Sequence, residues 1–276
     1  MKKDGKIMRV LAINDISCVG KCSLSVTLPI ISACGVTCDV LPTAILSTHT
    51  GGFDGYTFRD WTEDFPDILR HWKRLGIQFD VIYSGYLGSI EQIECVANIK
   101  KQFLADGGLF IVDPVMGDGG SLYTGFSPAY VEKMKTLCKQ ADYILPNLTE
   151  ACYLADMPYP QTDGNALVEK LQTLCPRPIV TGILENKTIS VYYKDENGVQ
   201  RYDSENVEGF FCGAGDVFAS AFVGALAYGK DETKAITLAT DFVTAAIRRS
   251  ACEVSDKRYG LNFEKEMYSF LKNLHA

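Results

Sequence analysis

Short apolar runs alternate with longer helical stretches through most of this 276-residue chain, and that alternation restricts the folds open to it. A strand buried on both faces reads as a continuous apolar run. Two parallel strands must be joined by a crossover, usually a helix. Residues 7–13 read as a buried strand, and residues 23–34 as a helix that stops at Gly35. Further strands are expected at 36–41, 81–83, 109–112, 143–145 and 178–181. Helices are expected at 58–75, 90–104, 128–140, 148–155 and 163–174. The pattern then changes. Residues 188–194 and 200–202 flank Asp195-Glu-Asn-Gly198, whose Asn-Gly pair marks a hairpin. A glycine-rich turn, a helix to Tyr228 and helices at 231–249 and 262–273 complete the chain. The expected fold is α/β. It is a three-layer α/β/α arrangement with a mostly parallel central sheet, helices on both faces and an antiparallel hairpin at one edge. With no linker, repeat or low-complexity tract in view, residues 1–276 read as one domain.

In such sheets ligands bind beyond the carboxyl ends of the strands, so the glycine-rich turn is informative. Cys212-Gly-Ala-Gly-Asp216 opens directly onto an alanine-rich apolar helix. Gly213 and Gly215 let the backbone turn sharply and approach a ligand. The helix N-terminus then offers unpaired N–H groups to an anion, and Asp216 lies in the first turn beside them. An anion cradle with an adjacent carboxylate is what phosphoryl transfer to an alcohol requires. The alternative is an aspartate that merely complements the helix dipole.

A formal charge of −7 argues against nucleic acid or an anionic membrane as the main partner. The basic start, residues 1–6, leads into an apolar run too short for a signal or membrane span. A cytoplasmic protein is therefore expected. Ten cysteines form no C-x-x-C pair, and the three histidines, His49, His71 and His275, are too scattered for a Cys/His zinc site. Reduced cysteines used as small core residues are the simpler reading.

Three more constellations follow strands. Asp113-Pro-Val-Met-Gly-Asp118-Gly-Gly combines two carboxylates with a rigid, open backbone. It suits Mg²⁺, which takes a few carboxylates, waters and substrate phosphate, or it is a solubilising turn. Leu145-Pro-Asn147-Leu-Thr-Glu150 supplies either a further metal carboxylate and a nucleotide contact or simply a capping box. Asn14-Asp15 and Ser47-Thr-His49-Thr50-Gly-Gly52 are polar groups placed to fix a small substrate, though the latter could equally be a solvated turn.

Taken together, these motifs resemble the ribokinase-like superfamily and, within it, the vitamin B6 (pyridoxal) kinases. The opening Val-Leu-Ala-Ile-Asn-Asp-Ile-Ser-Cys-Val-Gly, Leu46-Ser-Thr-His49-Thr50-Gly51, Ser84-Gly85-Tyr86-Leu-Gly, Asp113-Pro-Val-Met-Gly-Asp118, Pro146-Asn147-x-x-Glu150 and Gly213-Ala-Gly-Asp216 occur in that family's order, over residues 8–250. The resemblance implies ATP-dependent phosphorylation of the 5′-hydroxyl of pyridoxal, pyridoxine or pyridoxamine. Asp216 would be the base, and Gly213, Ala214 and Gly215 the anion hole. Asp113, Asp118 and Glu150 would be the Mg·ATP and cation carboxylates, with Asp113, Asn147 and Thr181 contacting ATP. Asp15, His49, Thr50 and Tyr86 would surround the vitamin, and Tyr123 would lie on the covering flap. Mg²⁺, a monovalent cation such as K⁺ and a homodimer are also implied. The chain departs from its relatives at Leu145, where many carry threonine, at Ala214, where threonine is frequent, and at Asp15, where many carry serine. A same-fold kinase acting on hydroxymethylpyrimidine or a sugar, and a vitamin-binding protein without turnover, are the competing readings. Hydroxymethylpyrimidine kinases usually carry cysteine in place of Asp216.

Overall fold

The computed structural model describes residues 7–209, 211–253 and 256–276; the basic start at 1–6 lies outside them. Nine helices and twelve strands run through the described residues in the order β1 (Arg9–Ser17), α1 (Leu24–Ala33), β2 (Thr37–Leu46), β3 (Phe58–Asp60), α2 (Phe65–Arg74), β4 (Phe79–Ser84), α3 (Ile90–Phe103), β5 (Leu104–Val112), β6 (Gly117–Asp118), β7 (Ser121–Leu122), α4 (Pro128–Cys138), β8 (Tyr143–Ile144), α5 (Leu148–Ala155), α6 (Gly164–Leu171), β9 (Arg177–Pro178), β10 (Val180–Glu185), β11 (Thr188–Asp195), β12 (Gly198–Glu205), α7 (Ala214–Tyr228), α8 (Glu232–Cys252) and α9 (Met267–His275).

The central sheet has the order β3-β2-β1-β4-β5-β8-β9 and is parallel apart from β3. Successive side chains of a strand point to opposite faces, and the two cores follow that alternation. Val10, Ala12, Val81, Tyr83 and Ile111 pack with α1, α7, α8 and α9 on one face. Leu11, Ile13, Ile82, Phe110 and Val112 pack with α3, α4, α5 and α6 on the other. Both faces are covered, which is why these strands read as unbroken apolar runs. All ten cysteines are free, and Cys22, Cys34, Cys138, Cys152 and Cys175 are buried. No helix among the described residues is long and apolar enough to cross a membrane.

Three expectations need correction. The helix expected at 58–75 begins only at Phe65, with Pro66 in its first turn. Residues 58–60 instead form an edge strand antiparallel to Ala44–Leu46. The expected antiparallel hairpin is present as β11 and β12. The strand expected at 178–181 splits, and β10, β11 and β12 form a separate antiparallel sheet. The Asp113–Gly120 loop also contains a small hairpin, β6–β7.

Register fixes the site. Ile13 pairs with Ser84, Ser84 with Val112, Val112 with Ile144, and Ile144 with Pro178. These residues form one row across the sheet; β4, β5, β8 and β9 end on it, and Asn14 and Asp15 of β1 lie just beyond it.

Candidate active site

Asp216 sits in the first turn of α7, whose N-cap is Gly213 in the left-handed conformation (φ 79°). Glycine is required there twice over. An L-residue rarely adopts that φ, and a Cβ would lie 2.3 Å from the Lys21 carbonyl oxygen. No side chain caps this helix, so its first-turn N–H groups remain the donors for an anion. A Cβ on Gly215 would meet nothing within 4 Å, which leaves the backbone there open to approach.

Burial pushes the Asp216 carboxyl up to about 6, and the nearby Asp15 charge adds to the rise. The Ser23 N–H and the Asn14 amide oppose it by donating to the carboxylate, the latter at 3.4 Å. Asn14 is buried within β1, which runs on to Ser17 instead of stopping at residue 13. Its Oδ1 accepts from the Asp15 and Tyr86 N–H groups at 3.0 and 2.8 Å. Gly85 makes room for it, since a Cβ there would fall 2.4 Å from Asn14 Nδ2. The sequence marks Asn14 only as a polar group near a small substrate and does not mark Ser23 as a site residue at all. Asn14 has a signal, its place directly after an apolar run. Ser23 has none: its backbone N–H serves Asp216, and its hydroxyl serves Asp15.

Asp15 is also buried, and burial raises its carboxyl. Ser23 Oγ donates to it at 2.5 Å and Ser17 Oγ at 3.4 Å. Tyr86 is half-buried beside it. Desolvation, then the charges of Asp15 and Asp60, push the phenol up to about 12. Thr50 is exposed in the loop after β2. His49 is buried, with Nδ1 accepting from the Gly51 N–H at 3.2 Å. The proton of the neutral ring therefore sits on Nε2, which is buried with no side-chain partner among the described residues. Burial holds this imidazole below its ordinary range.

The acidic residues Asp113, Asp118 and Glu150 flank the same loop, with Glu150 and Asp113 close enough for the charge of one to act on the other. Among the described residues no group of three or more His, Cys, Asp or Glu side chains is arranged to hold a metal ion. Glu150 has a structural role as it stands. Its two oxygens accept from the Met116 and Asn147 N–H groups, each at 3.0 Å, while Asn147 Oδ1 accepts from the Glu150 N–H at 3.0 Å. This is a complete capping box at the start of α5. It also ties α5 to the Asp113–Gly120 loop. Asp113 is buried under the Tyr83 hydroxyl at 3.4 Å. Desolvation and the charges of Glu150 and Asp216 push its carboxyl up. Asp118 is exposed and accepts from the Gly119 N–H at 2.7 Å.

Asn147 Nδ2 donates to the Gly117 carbonyl at 2.9 Å. Thr181 runs alongside Asn147 in a parallel bridge, its N–H on the Pro146 carbonyl at 3.0 Å. Tyr123 follows β7, with its N–H on the Met116 carbonyl at 2.9 Å. Desolvation raises its phenol, and Glu150, Asp118, Asp113 and Asp216 add to the rise. The geometry thus brings Asp216, Asp15, Tyr86, Asp113, Asn147, Thr181 and Tyr123 to one sheet edge. It turns Glu150 inward and leaves Asp118 and Thr50 at the rim.

Comparisons with known proteins bear on the fold and the family. A family profile described as phosphomethylpyrimidine kinase matches residues 30–262. The pyridoxine kinase of Bacillus subtilis (strain 168) is 32% identical over 186 residues, 63% of this chain and 66% of that one. The chain matches just under two thirds of that relative's length, and 47% of a pyridoxal kinase relative from Caenorhabditis elegans. The pyridoxal kinase from Lactobacillus plantarum superposes with a TM-score of 0.90 at 32% identity, covering 97% of this chain and 98% of its own. A Bacteroides thetaiotaomicron protein with a provisional phosphomethylpyrimidine kinase name, crystallised also with pyridoxal, reaches a TM-score of 0.91 at 36% identity, covering 98% of this chain and 96% of its own. The ribokinase-like fold implied by the motifs is the one observed. With a profile spanning most of its residues and solved relatives matching along nearly its whole length, the chain belongs to the phosphomethylpyrimidine kinase family.

Proposed function

We propose that this protein is a single-domain kinase that transfers the γ-phosphoryl group of ATP to the 5′-hydroxyl of a B6 vitamer. One observation carries the reading: Asp216, poised near 6, stands in the first turn of a helix whose N-terminus no side chain caps. A general base works best when its pKa lies near the operating pH. Here that base adjoins the donors that would hold the transferring group. The relatives named pyridoxine and pyridoxal kinases support the choice of substrate.

In this reading the vitamin lies between Asp15, Thr50 and Tyr86. Its 5′-hydroxyl gives its proton to Asp216 as the oxygen attacks the γ-phosphorus in line. The amides of Gly213, Ala214 and Gly215 hold the phosphoryl oxygens. The nucleotide lies toward Asn147 and Thr181, and Tyr123 covers the reacting groups. The acidic residues suit Mg²⁺ that arrives with the nucleotide, because such an ion needs only one or two carboxylates besides phosphate and water. Asp113 and Asp118 would hold it, and it would neutralise charge on the phosphates. Glu150 shapes the loop that carries both. The proposal also includes a K⁺ requirement, a homodimer and a cytoplasmic location, in keeping with ten unpaired cysteines. Potassium titration and sedimentation would test the first two.

The family profile favours a second reading, a hydroxymethylpyrimidine as the acceptor. Both acceptors are hydroxymethyl heteroaromatics. ADP release measured with pyridoxal, pyridoxine, pyridoxamine, hydroxymethylpyrimidine and a sugar separates them. Turnover is expected with a B6 vitamer, and turnover confined to hydroxymethylpyrimidine would replace the first reading with the second.

A further inference from the structure

The loop 49–53 carries Thr50 and is gripped at successive residues. At its start, a Cβ on Gly20 would lie 2.3 Å from His49 Cδ2. At its middle, a Cβ on Gly51 would lie 2.3 Å from Cys212 Sγ, in the residue before the phosphate turn. At its end, Gly52 (φ 89°) lies under the Arg258 side chain, whose Cγ would be 3.1 Å from a Cβ there. The Arg258 guanidinium covers the Phe53 ring at 5.2 Å. Phe53 in turn meets His49 and Tyr259 edge-on at 5.1 and 5.4 Å. Asp256 fixes the guanidinium through bonds of 3.0 and 2.6 Å. The same C-terminal segment reaches the phosphate turn as well. The Tyr259 carbonyl accepts from the Lys21 N–H at 2.9 Å, and the Lys21 carbonyl is the wall against which Gly213 packs.

We infer that Arg258 is a positioning residue for the vitamin pocket. Through Gly52 and Phe53 it holds the 49–53 loop against the phosphate turn and so pre-orders Thr50 for the substrate. This rests on the reading of the protein as a B6 kinase. A loop with two adjacent glycines has much conformational freedom to lose when a ligand binds, and a strap that removes that freedom beforehand improves binding without touching the ligand. The conformation matters to the vitamin side, because the Arg258 side chain bears on Gly52, Phe53 and Asp256.

Arg258→Ala in the full chain tests this. The KM for pyridoxal should rise about three- to tenfold, while kcat and the KM for ATP stay within about twofold. Arg258→Lys keeps a cation over Phe53 and should recover part of the loss. Amide hydrogen exchange of residues 49–53 without substrate should be faster in Arg258→Ala than in the wild type. Unchanged exchange together with an unchanged KM for pyridoxal overturns the inference. So does a parallel loss in kcat and both KM values with a lowered Tm, which marks a merely structural role. A wild type inactive on every B6 vitamer removes the functional reading instead, and the exchange experiment still decides whether Arg258 orders the loop.

Discussion

As the proposed base, Asp216 must be strong enough to take a proton, yet it is buried near another carboxylate, Asp15, that resists its ionisation. Its pKa of about 6 reflects that compromise. In the folded protein the group binds its proton more tightly than at the ordinary 3.8, so ionised Asp216 opposes folding. That penalty is absent below pH 4 and complete above pH 6. Asp216→Asn should therefore differ from wild type in two ways. Its kcat should fall by about two to four orders of magnitude, since general-base catalysis contributes that much. Its Tm relative to wild type should be higher at pH 7.5 than at pH 4, as thermal melts at the two pH values would show. In the wild type, kcat/KM should rise with pH through about 6, and a flat profile from pH 5 to 8 would remove the base assignment. Glu150 belongs to the same scale with the opposite role. Glu150→Gln puts an amide NH₂ where a carboxylate oxygen now accepts from a backbone N–H. A buried donor left unsatisfied costs about 1–3 kcal/mol. Several degrees should be lost from Tm, with the Mg²⁺ dependence of activity little changed. An unchanged Tm with weakened Mg²⁺ dependence would restore Glu150 to the metal site.

At the level of elements, what the sequence shows depends on how locally each element is determined. β1, β4 and the end of β5 are buried on both faces, so apolar runs betray them. Helices α3 and α4 begin at Ser89 and Ser127, whose side chains accept from Gln92 and Tyr130 N–H groups, the signature that marks helix starts. β3 has three exposed residues and exists only because it pairs with β2, a distant partner that no local pattern reveals. Pro66 does mark the true start of α2, but the apolar spacing before it conceals the break. β10 is similar: residues 178–181 read as one strand, and only the neighbours show that the chain leaves one sheet for another. The glycine turn is legible because its chemistry is local. Gly213→Ala tests how strict it is. A Cβ so close to the Lys21 carbonyl, at a φ of 79°, should cost both stability and kcat. A variant with wild-type Tm and kcat would mean that the turn can move aside.

Across the whole molecule, one row of paired residues from Ile13 to Pro178 lines up the ends of four strands beside Asn14 and Asp15 of β1. The motifs are visible in sequence, but their convergence is not, because register is set by the packing of both cores against the sheet. The acidic cluster shows the difference. Its residues can be named from sequence, yet their orientation depends on which backbone groups need partners. The assembled edge has two sides. Tyr86→Ala and Thr50→Val should raise the KM for the vitamin more than that for ATP, and steady-state kinetics with each substrate varied should find the reverse for Thr181→Val. Equal effects on both substrates would break the proposed division. The most direct measurement is product analysis. Wild-type protein incubated with Mg·ATP and pyridoxal should yield one ADP for each pyridoxal 5′-phosphate, with the phosphorus on the 5′-oxygen by ³¹P NMR. Asp216→Asn, folded by circular dichroism, should yield almost none. ADP without a phosphorylated vitamin, or near-wild-type product from the folded Asp216→Asn protein, would contradict the account.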